Sequence, residues 1–286
     1  MRHDERIAAR RQSLIDLHCH SSASDGLLTP TALVEHAHAL GLRTLALTDH
    51  DTLGGLAEAA AAAEQLGLRF VPGSELSVRP PSGSMHLLAY LPSADAEPLA
   101  SRIREIGDYR AGRNQRIVAR LNELGYAVEW DDVRRRARGR VGRPHIAAAL
   151  VDAGYVATLQ EAFDRLLADG QPAYVDAGSL GPDEAVELVA ESGGAPVLAH
   201  PYSLRLGDAA LEHFVARLAE RGLRGVECYR PDHDDEQRAF TGRLCAQLGL
   251  VPSGGSDWHG NADGPGLGDS GPVPLPGDTL ERLGLA

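Results

Sequence analysis

Short apolar runs alternate with helical patterns along most of this chain. Seven runs rich in aliphatic residues each end in polar or charged residues, and the pattern predicts strands over 14–20, 44–50, 69–75, 85–91, 196–200, 225–230 and 250–257. Helical periodicity fills most of the intervals. Thr29 and Pro30, for example, are typical of the cap and first position of a helix over 32–40, which Gly41 ends. Strands that alternate with helices predict an α/β fold with a parallel sheet.

The alternation stops between about residues 94 and 180. The segment is rich in arginine, and its periodicity predicts helices over 110–124, 143–153 and 158–167. We therefore expect a mostly helical insertion domain over 101–179, placed in a loop of a domain built from 13–100 and 180–286. Residues 260–278 are rich in glycine and proline and are expected to form a loop.

Composition limits the class of protein. The chain has 286 residues, 43% of them apolar, which is enough for one large barrel or two domains. Its start is charged and it has no run of about 18 apolar residues, so we expect a soluble, cytoplasmic protein without a membrane span. Three scattered cysteines exclude a disulfide framework. All 28 basic residues are arginine, which excludes Schiff-base chemistry and a carbamylated-lysine metal bridge.

The charge is unevenly distributed. A net charge of −12 argues against a general nucleic-acid coat, because nonspecific binding requires cations that neutralise phosphates. Residues 102–143, however, contain 12 arginines against six acids, a net of +6. This segment therefore differs from the rest of the chain, which carries the remaining −18 (−12 minus +6).

Two His-X-His motifs have different expected roles. His18 and His20 end the first predicted strand, where side chains two apart share a face, so both imidazoles can reach one metal. His36 and His38 lie in a predicted helix, where positions two apart diverge by about 200°. We expect the second pair to be solvated.

Further candidate metal ligands fall at or near the ends of other predicted strands, where they would converge on one face of a parallel barrel. They are Asp25, His50, Glu75, His86, His200, Asp257 and His259. His86 lies within an apolar run, and a buried structural histidine remains an alternative for that position.

The order of these motifs resembles the PHP (polymerase and histidinol phosphatase) domain family. Its motifs are matched by His18/His20, Asp49/His50, Gly73/Glu75, His200/Pro201 and Asp257/His259. Gly142-Arg143-Pro144-His145 resembles a motif in the inserted domain of the branch that acts on nucleoside 3′,5′-bisphosphates. The resemblance covers nearly the whole chain and implies a distorted (β/α)7 TIM-like barrel.

The resemblance also implies three metal sites, formed by His18, His20, Glu75 and Asp257; by Asp25, His50 and His259; and by a bridging Glu75 with His86 and His200. Mixed imidazole and carboxylate ligands suit manganese best, with iron or zinc as alternatives, and we expect two to three divalent ions. A hydroxide that bridges these ions would be the nucleophile, and the proton donor is not identified. Asp49 and Asp51 could orient ligand imidazoles or be exposed helix caps.

Arginine suits the second phosphate of a bisphosphate, because its planar fork can bind two oxygens at once. Arg143 and His145 are the candidates for the non-reacting phosphate, and Arg113 and Arg116 are weaker ones. Consecutive residues diverge, so 134–136 is expected to be a solvated arginine run. His3 and His213 are expected on the surface, and His233 in a loop, where it could act as an acid or a substrate contact.

The leading hypothesis is a metal-dependent phosphatase that converts nucleoside 3′,5′-bisphosphates to nucleoside 5′-monophosphates. A 5′-3′ exoribonuclease acting on short RNA and a histidinol-phosphate phosphatase are the rival enzymes. A non-catalytic phosphate sensor and C–N hydrolysis are less consistent with the ligand set and the arginine segment. No membrane and no obligate protein partner is expected.

Overall fold

A curled seven-stranded sheet is the centre of the first of two units in this chain. The structure is a computed structural model that describes residues 14–93, 95–136, 141–176 and 178–285. The first unit contains 1–103 and 180–286, and the second contains 104–179. The predicted insertion, 101–179, covers nearly the same residues as the second unit.

The strands lie side by side in chain order and give an α/β fold. They are β1 (Ile15–Asp16), β2 (Thr44–Leu47), β3 (Arg69–Val78), β4 (Met85–Tyr90), β5 (Ala195–Leu198), β6 (Gly225–Tyr229) and β7 (Val251–Gly254). Beyond the ends of β1 and β7, Cys19 and Trp258 form a parallel bridge, and the His20 N–H donates to the Trp258 carbonyl at 2.9 Å. The two outer strands of the curled sheet therefore meet near His20.

The all-parallel sheet that the sequence predicts is wrong at β4. This strand runs antiparallel to both β3 and β5, whereas the other neighbouring strands are parallel. Only six residues, 79–84, join β3 to β4. A parallel crossover needs a dozen or more residues, so this short connection forms a hairpin.

The helices of the first unit cover the sheet. They are α1 (Pro30–Ala39), α2 (Leu56–Leu66), α8 (Pro182–Glu191), α9 (Asp208–Glu220), α10 (Asp235–Leu248) and α11 (Thr279–Leu283). The helix α3 (Leu99–Ala111) begins in the first unit and ends in the second, which also contains α4–α7. The predicted cap of α1 is confirmed, because the Thr29 hydroxyl accepts a hydrogen bond from the Ala32 N–H at 3.2 Å.

The second unit has a hydrophobic core of its own, to which Ile117, Leu121, Ile146 and Leu150 contribute. Its helices are α4 (Arg113–Glu123), α5 (Trp130–Arg136), α6 (Arg143–Asp152) and α7 (Leu159–Ala162), and a π-helical turn, Phe163–Leu167, follows α7. The helix predicted over 110–124 is divided at Gly112, which caps α4.

None of the helices in the described part of the chain is long and apolar enough to cross a membrane. Cys19, Cys228 and Cys245 are buried free thiols, as expected for a chain without a disulfide framework.

Candidate metal centre

The residues predicted as metal ligands come together where strands of the sheet end. His18 and His20 follow β1, are fully buried, and place their ring centroids 5.2 Å apart. Cys19, between them, packs on the other side against the apolar cluster that contains Leu33 and Leu45. His18 and His20 therefore lie on one face and Cys19 on the opposite one, as predicted for this motif.

The first ligand set is His18, His20, Glu75 and Asp257. Glu75 Oε2 lies 3.1 Å from the Nε2 atoms of both histidines. Asp257 Oδ1 lies 3.3 Å from His18 Nε2 and 3.2 Å from His20 Nε2. Two imidazole nitrogens and two carboxylate oxygens thus face one point.

The second set is Asp25, His50 and His259, joined by His20. Asp25 Oδ1 lies 3.4 Å from His259 Nε2 and 3.8 Å from His20 Nδ1. Asp25 Oδ2 lies 3.8 Å from His50 Nε2. The resemblance did not place His20 in this set, but its ring lies between the first and second sets and offers one nitrogen to each.

The third set surrounds the other oxygen of Glu75. Oε1 lies 2.8 Å from His86 Nδ1 and 2.9 Å from His200 Nε2, and these two nitrogens are 3.2 Å apart. His50 Nδ1 also approaches Glu75, at 3.2 Å from Oε2. His86 thus lies in the cluster of candidate ligands and is only partly buried.

Glu75 is common to two sets, and its environment fits a group that binds cations. Burial alone would raise the pKa of this carboxyl, but the His18, His20 and His200 imidazoles hold the pKa well below its usual range. For His18 burial alone would lower the pKa, yet the Asp257, Glu227 and Glu75 carboxylates raise it well above its usual value. The cluster therefore stabilises positive charge at its centre.

Unpartnered polar atoms provide a direct test of whether divalent metal ions fit here. Among the residues that the structure describes, His18 Nε2, both ring nitrogens of His20, and Glu75 Oε2 are buried without a hydrogen-bond partner. Buried polar atoms are almost always satisfied, and leaving one unpaired costs about 1–3 kcal/mol. In the first and second sets, the ligand atoms to which these unpaired atoms belong lie within 4.8 Å of one another, which is the arrangement that metal ligands require.

Glu227 and Arg230 are part of the site, although sequence reasoning did not select them. Glu227 Oε1 lies 3.0 Å from His18 Nδ1, and Arg230 donates to Glu227 Oε2 at 3.0 Å and to Asp257 Oδ2 at 3.3 Å. Both side chains are buried. The sequence did contain a signal for Glu227, because it is a charged residue inside the predicted apolar strand 225–230. An acid is almost never fully buried unless it is paired, so its position indicated a partner.

The sequence left two roles open for Asp49, a partner of ligand imidazoles or an exposed helix cap, and its described hydrogen bonds fit neither. Its carboxylate is buried and accepts hydrogen bonds from the hydroxyls of Ser21 and Ser24, each at 2.6 Å. Asp51 accepts from the Ser77 hydroxyl, also at 2.6 Å. Asp49 instead fixes the loop that carries Asp25 into the second set.

The predicted phosphate-binding residues lie in the second unit. Arg143 donates to the Leu167 carbonyl at 3.2 Å, and Arg113 donates to the Val175 carbonyl at 2.7 Å. Burial, and after it the charge of Arg143, lowers the pKa of Arg113. Arg116 instead lies over the Tyr109 ring, 4.1 Å from its centroid.

His145 has a fixed ring orientation. The Gly142 N–H donates to its Nδ1 at 3.0 Å, so the neutral ring carries its proton on Nε2.

The remaining histidines are divided between surface and interior. His36, His38 and His213 are exposed, as predicted, and His3 lies outside the described residues. His233, predicted in a loop, is 5% exposed, and its Nδ1 donates to the Cys228 carbonyl at 3.2 Å. It lines a cavity of about 510 Å³ together with the ligands His200 and Asp257.

Fold and site together define a metal-binding α/β protein, and comparison with known families identifies its kind. The PHP domain model matches residues 16–127. A 3′,5′-nucleoside bisphosphate phosphatase from Chromobacterium violaceum is 36% identical over 87% of this chain and 88% of its own length. A 5′-3′ exoribonuclease from Haemophilus influenzae is 32% identical over 85% of this chain and 89% of its own length. This chain belongs to the PHP domain family.

A solved structure supports the same assignment. An amidohydrolase from Chromobacterium violaceum is 33% identical to this chain and superposes with a TM-score of 0.70. The match covers 96% of this chain and 97% of that one. The similarity therefore includes both units and not the metal centre alone.

Proposed function

We propose that this protein is a metal-dependent phosphomonoesterase that removes the 3′-phosphate from nucleoside 3′,5′-bisphosphates. The observation that carries the proposal is the convergence of nine imidazole and carboxylate side chains into three overlapping ligand sets. The bisphosphate phosphatase of Chromobacterium violaceum, similar over nearly the full length, supports the choice of substrate. The finer description of the fold as a distorted (β/α)7 barrel belongs to the same proposal.

Two to three divalent ions would be held by the three sets, with Glu75 shared between the first and the third. Manganese suits this mixture of nitrogen and oxygen ligands best. When bound, such ions lower the pKa of coordinated water and neutralise charge on phosphoryl oxygens.

The protein's own charge makes the centre selective for anions once cations are bound. Asp25, Glu75 and Asp257 are the carboxylates among the nine side chains. Three divalent ions would exceed their charge by three, with the six imidazoles neutral. A phosphate dianion would then be attracted, and the same carboxylates keep the ions from leaving with the product.

We assign the non-reacting phosphate to the second unit, at Arg143 and His145, with Arg113 beside them. The positive charge of Arg143 disfavours the charged form of Arg113, and an anion bound by both groups would offset that repulsion. The His145 Nε2 proton supplies a further hydrogen-bond donor.

A 5′-3′ exoribonuclease acting on short RNA is the second candidate. The relative from Haemophilus influenzae and the excess of arginine in 102–143 favour it. The same pair of phosphate sites would then hold a 5′-phosphate in the second unit and the first internucleotide phosphate at the metals.

One set of assays distinguishes the candidates. Manganese-loaded protein is given adenosine 3′,5′-bisphosphate, histidinol phosphate and a 5′-phosphorylated trinucleotide in parallel, and products are identified by phosphorus NMR. We expect release of the 3′-phosphate from the bisphosphate and no reaction of the 5′-monophosphate product. Faster cleavage of the trinucleotide, or release of the 5′-phosphate first, would reject the proposal.

A further inference from the structure

Glu227 is the only acid on β6, and it does not belong to any of the three ligand sets. It lies at the centre of a hydrogen-bond network that contacts two of them. Its side chain is completely buried, at 0% exposure. Three donors from different parts of the chain meet its two oxygens: the His18 ring, the His200 backbone and the Arg230 guanidinium. A fully buried carboxylate with three donors is held in one position.

The first contact determines which nitrogen of His18 faces the ligand set. Glu227 Oε1 lies 3.0 Å from His18 Nδ1, and a carboxylate at this distance stabilises a proton on that nitrogen. The lone pair is then on Nε2, which lies 3.1 Å from Glu75 and 3.3 Å from Asp257. Glu227 thus directs His18 into the first set.

The second contact holds the backbone of His200. This residue has a φ of +23° and a ψ of 67°, which a side-chain-bearing residue rarely adopts. Its N–H donates to Glu227 Oε2 at 2.7 Å. A charge-assisted hydrogen bond of this length offsets the cost of such a conformation. The conformation in turn points the His200 ring at Glu75, in the third set.

The third contact extends the network to Asp257. Arg230 donates to Glu227 Oε2 at 3.0 Å and to Asp257 Oδ2 at 3.3 Å. The other oxygen of Asp257, Oδ1, is the one that faces His18 and His20. The Glu227 carboxylate is therefore linked to His18 and Asp257 of the first set and to His200 of the third set.

We propose that Glu227 is a positioning residue that couples the first and third ligand sets, so that its loss weakens metal binding at both together. The inference rests on the metal centre of the proposed function, but it does not depend on the identity of the substrate. The second set, with Asp25, His50 and His259, has no contact with Glu227 among the described interactions and is expected to be independent of it.

Cobalt titration of the metal-free protein tests the coupling. Cobalt(II) is added to wild type and to Glu227→Gln, and binding is followed by visible absorption and calorimetry. His18→Ala, His200→Ala and His259→Ala identify the signal of each set. In Glu227→Gln we expect affinity at the first and third sets to fall together by about 10- to 100-fold, with the second set unchanged.

Two results would overturn the proposal. One is a folded Glu227→Gln protein that binds cobalt like wild type, and the other is a loss confined to one of the two sets. Wild-type protein that binds no cobalt would reject the metal centre itself. Normal cobalt binding without hydrolysis of the bisphosphate would reject only the proposed function.

Asp16→Asn is the matched control, because it exchanges another fully buried carboxylate for an amide. Asp16 accepts from the Ser256 hydroxyl at 2.6 Å and from the N–H groups of Ser256, Gly268 and His18, without contact to a ligand ring. We expect this variant to lose thermal stability and to keep the wild-type cobalt spectrum. The same loss of cobalt in both variants would show that Glu227 is merely structural.

A measurement on wild type keeps the proposal testable if Glu227→Gln does not fold. In zinc-loaded protein, long-range ¹H–¹⁵N spectra distinguish a protonated Nδ1 from a metal-bound one in each histidine. We expect His18 to carry a slowly exchanging proton on Nδ1. A His18 that binds metal through Nδ1 would overturn the role of Glu227.

Discussion

At the scale of single residues, the same motif has opposite roles in different elements. His18 and His20 are buried and face Glu75, whereas His36 and His38 are exposed on α1. The strand-like backbone places side chains two apart on one face, and the helix separates them. Chemistry at this site therefore depends on the element that carries the motif.

Replacing the shared carboxylate should disable the centre. Glu75→Gln removes a charge from two ligand sets, and we expect kcat on the bisphosphate to fall at least about 10³-fold, equivalent to about 4 kcal/mol. Elemental analysis should show fewer metal ions per chain. Glu64→Gln, an exposed change on α2, is the control and should leave both quantities unchanged. Full activity of Glu75→Gln would contradict the site as described.

Metal binding should compete with protons. Burial favours neutral rings, but nearby carboxylates outweigh it and raise the pKa of His18, His20 and His86. Rings with raised pKa values hold protons in the metal-free protein, and a metal must displace them. Apparent affinity should therefore decrease as pH falls from about 8 to about 6, by at least about tenfold per unit.

Calorimetry in two buffers of different ionisation enthalpy measures the protons released on metal loading. An affinity that is independent of pH over this range would mean that the rings are already neutral in the metal-free protein.

At the scale of elements, close backbone approach fixes the strand ends that carry the ligands. Gly255 follows β7, and a Cβ added there would lie 2.5 Å from both the Cβ and the N of His18. A Cβ added at Gly73 in β3 would lie 2.9 Å from the Ala89 carbonyl oxygen of β4. These glycines permit the packing that brings Asp257 and Glu75 to His18.

Substitution of Gly255 tests this packing. Gly255→Ala should destabilise the protein by about 1–3 kcal/mol in urea unfolding, because His18 cannot move away without losing its ligand position. Gly242→Ala, in α10 with open space around the added methyl, should instead stabilise by up to about 1 kcal/mol. Equal effects of the two substitutions would show that the strand ends tolerate displacement.

At the scale of the whole molecule, the candidate metal ligands and the predicted phosphate-binding arginines belong to different units with separate cores. The nine candidate ligands are all in the first unit, and Arg113, Arg143 and His145 are in the second. The proposed function therefore divides the substrate, with the reacting phosphate at the metals and the other in the second unit. Binding energy at the remote phosphate would be used to position the reacting one.

Loss of the remote anchor should depend on the substrate. Arg143→Ala should reduce kcat/KM for adenosine 3′,5′-bisphosphate by about 2–4 kcal/mol, with a much smaller effect on an aryl phosphate. Wild type should prefer the bisphosphate over adenosine 3′-monophosphate by about 10² or more. Arg135→Ala, a surface residue paired with Asp132, is the control from the same unit. Equal losses on both substrates would show that Arg143 is structural.

The sequence by itself determined the elements and the ligand types. Three local signals were sufficient for this: the spacing of apolar residues, the helix caps and the polar residues at strand ends. They predicted seven strands, the start of α1 and the nine candidate ligands. Helical periodicity in the arginine-rich segment likewise marked it as a different kind of structure.

Only the tertiary structure decided how these parts meet. The antiparallel direction of β4 follows from the short connection before it, and the structure shows how short that connection is because β3 continues to Val78 and not only to the predicted 75. The His20 ring between two ligand sets and Glu227 behind His18 involve contacts between residues far apart in the chain, 209 positions for the latter pair. The spacing of residues in the sequence indicates on which face of its own strand or helix a side chain lies. The residues that this side chain contacts on other elements depend on how the whole sheet packs.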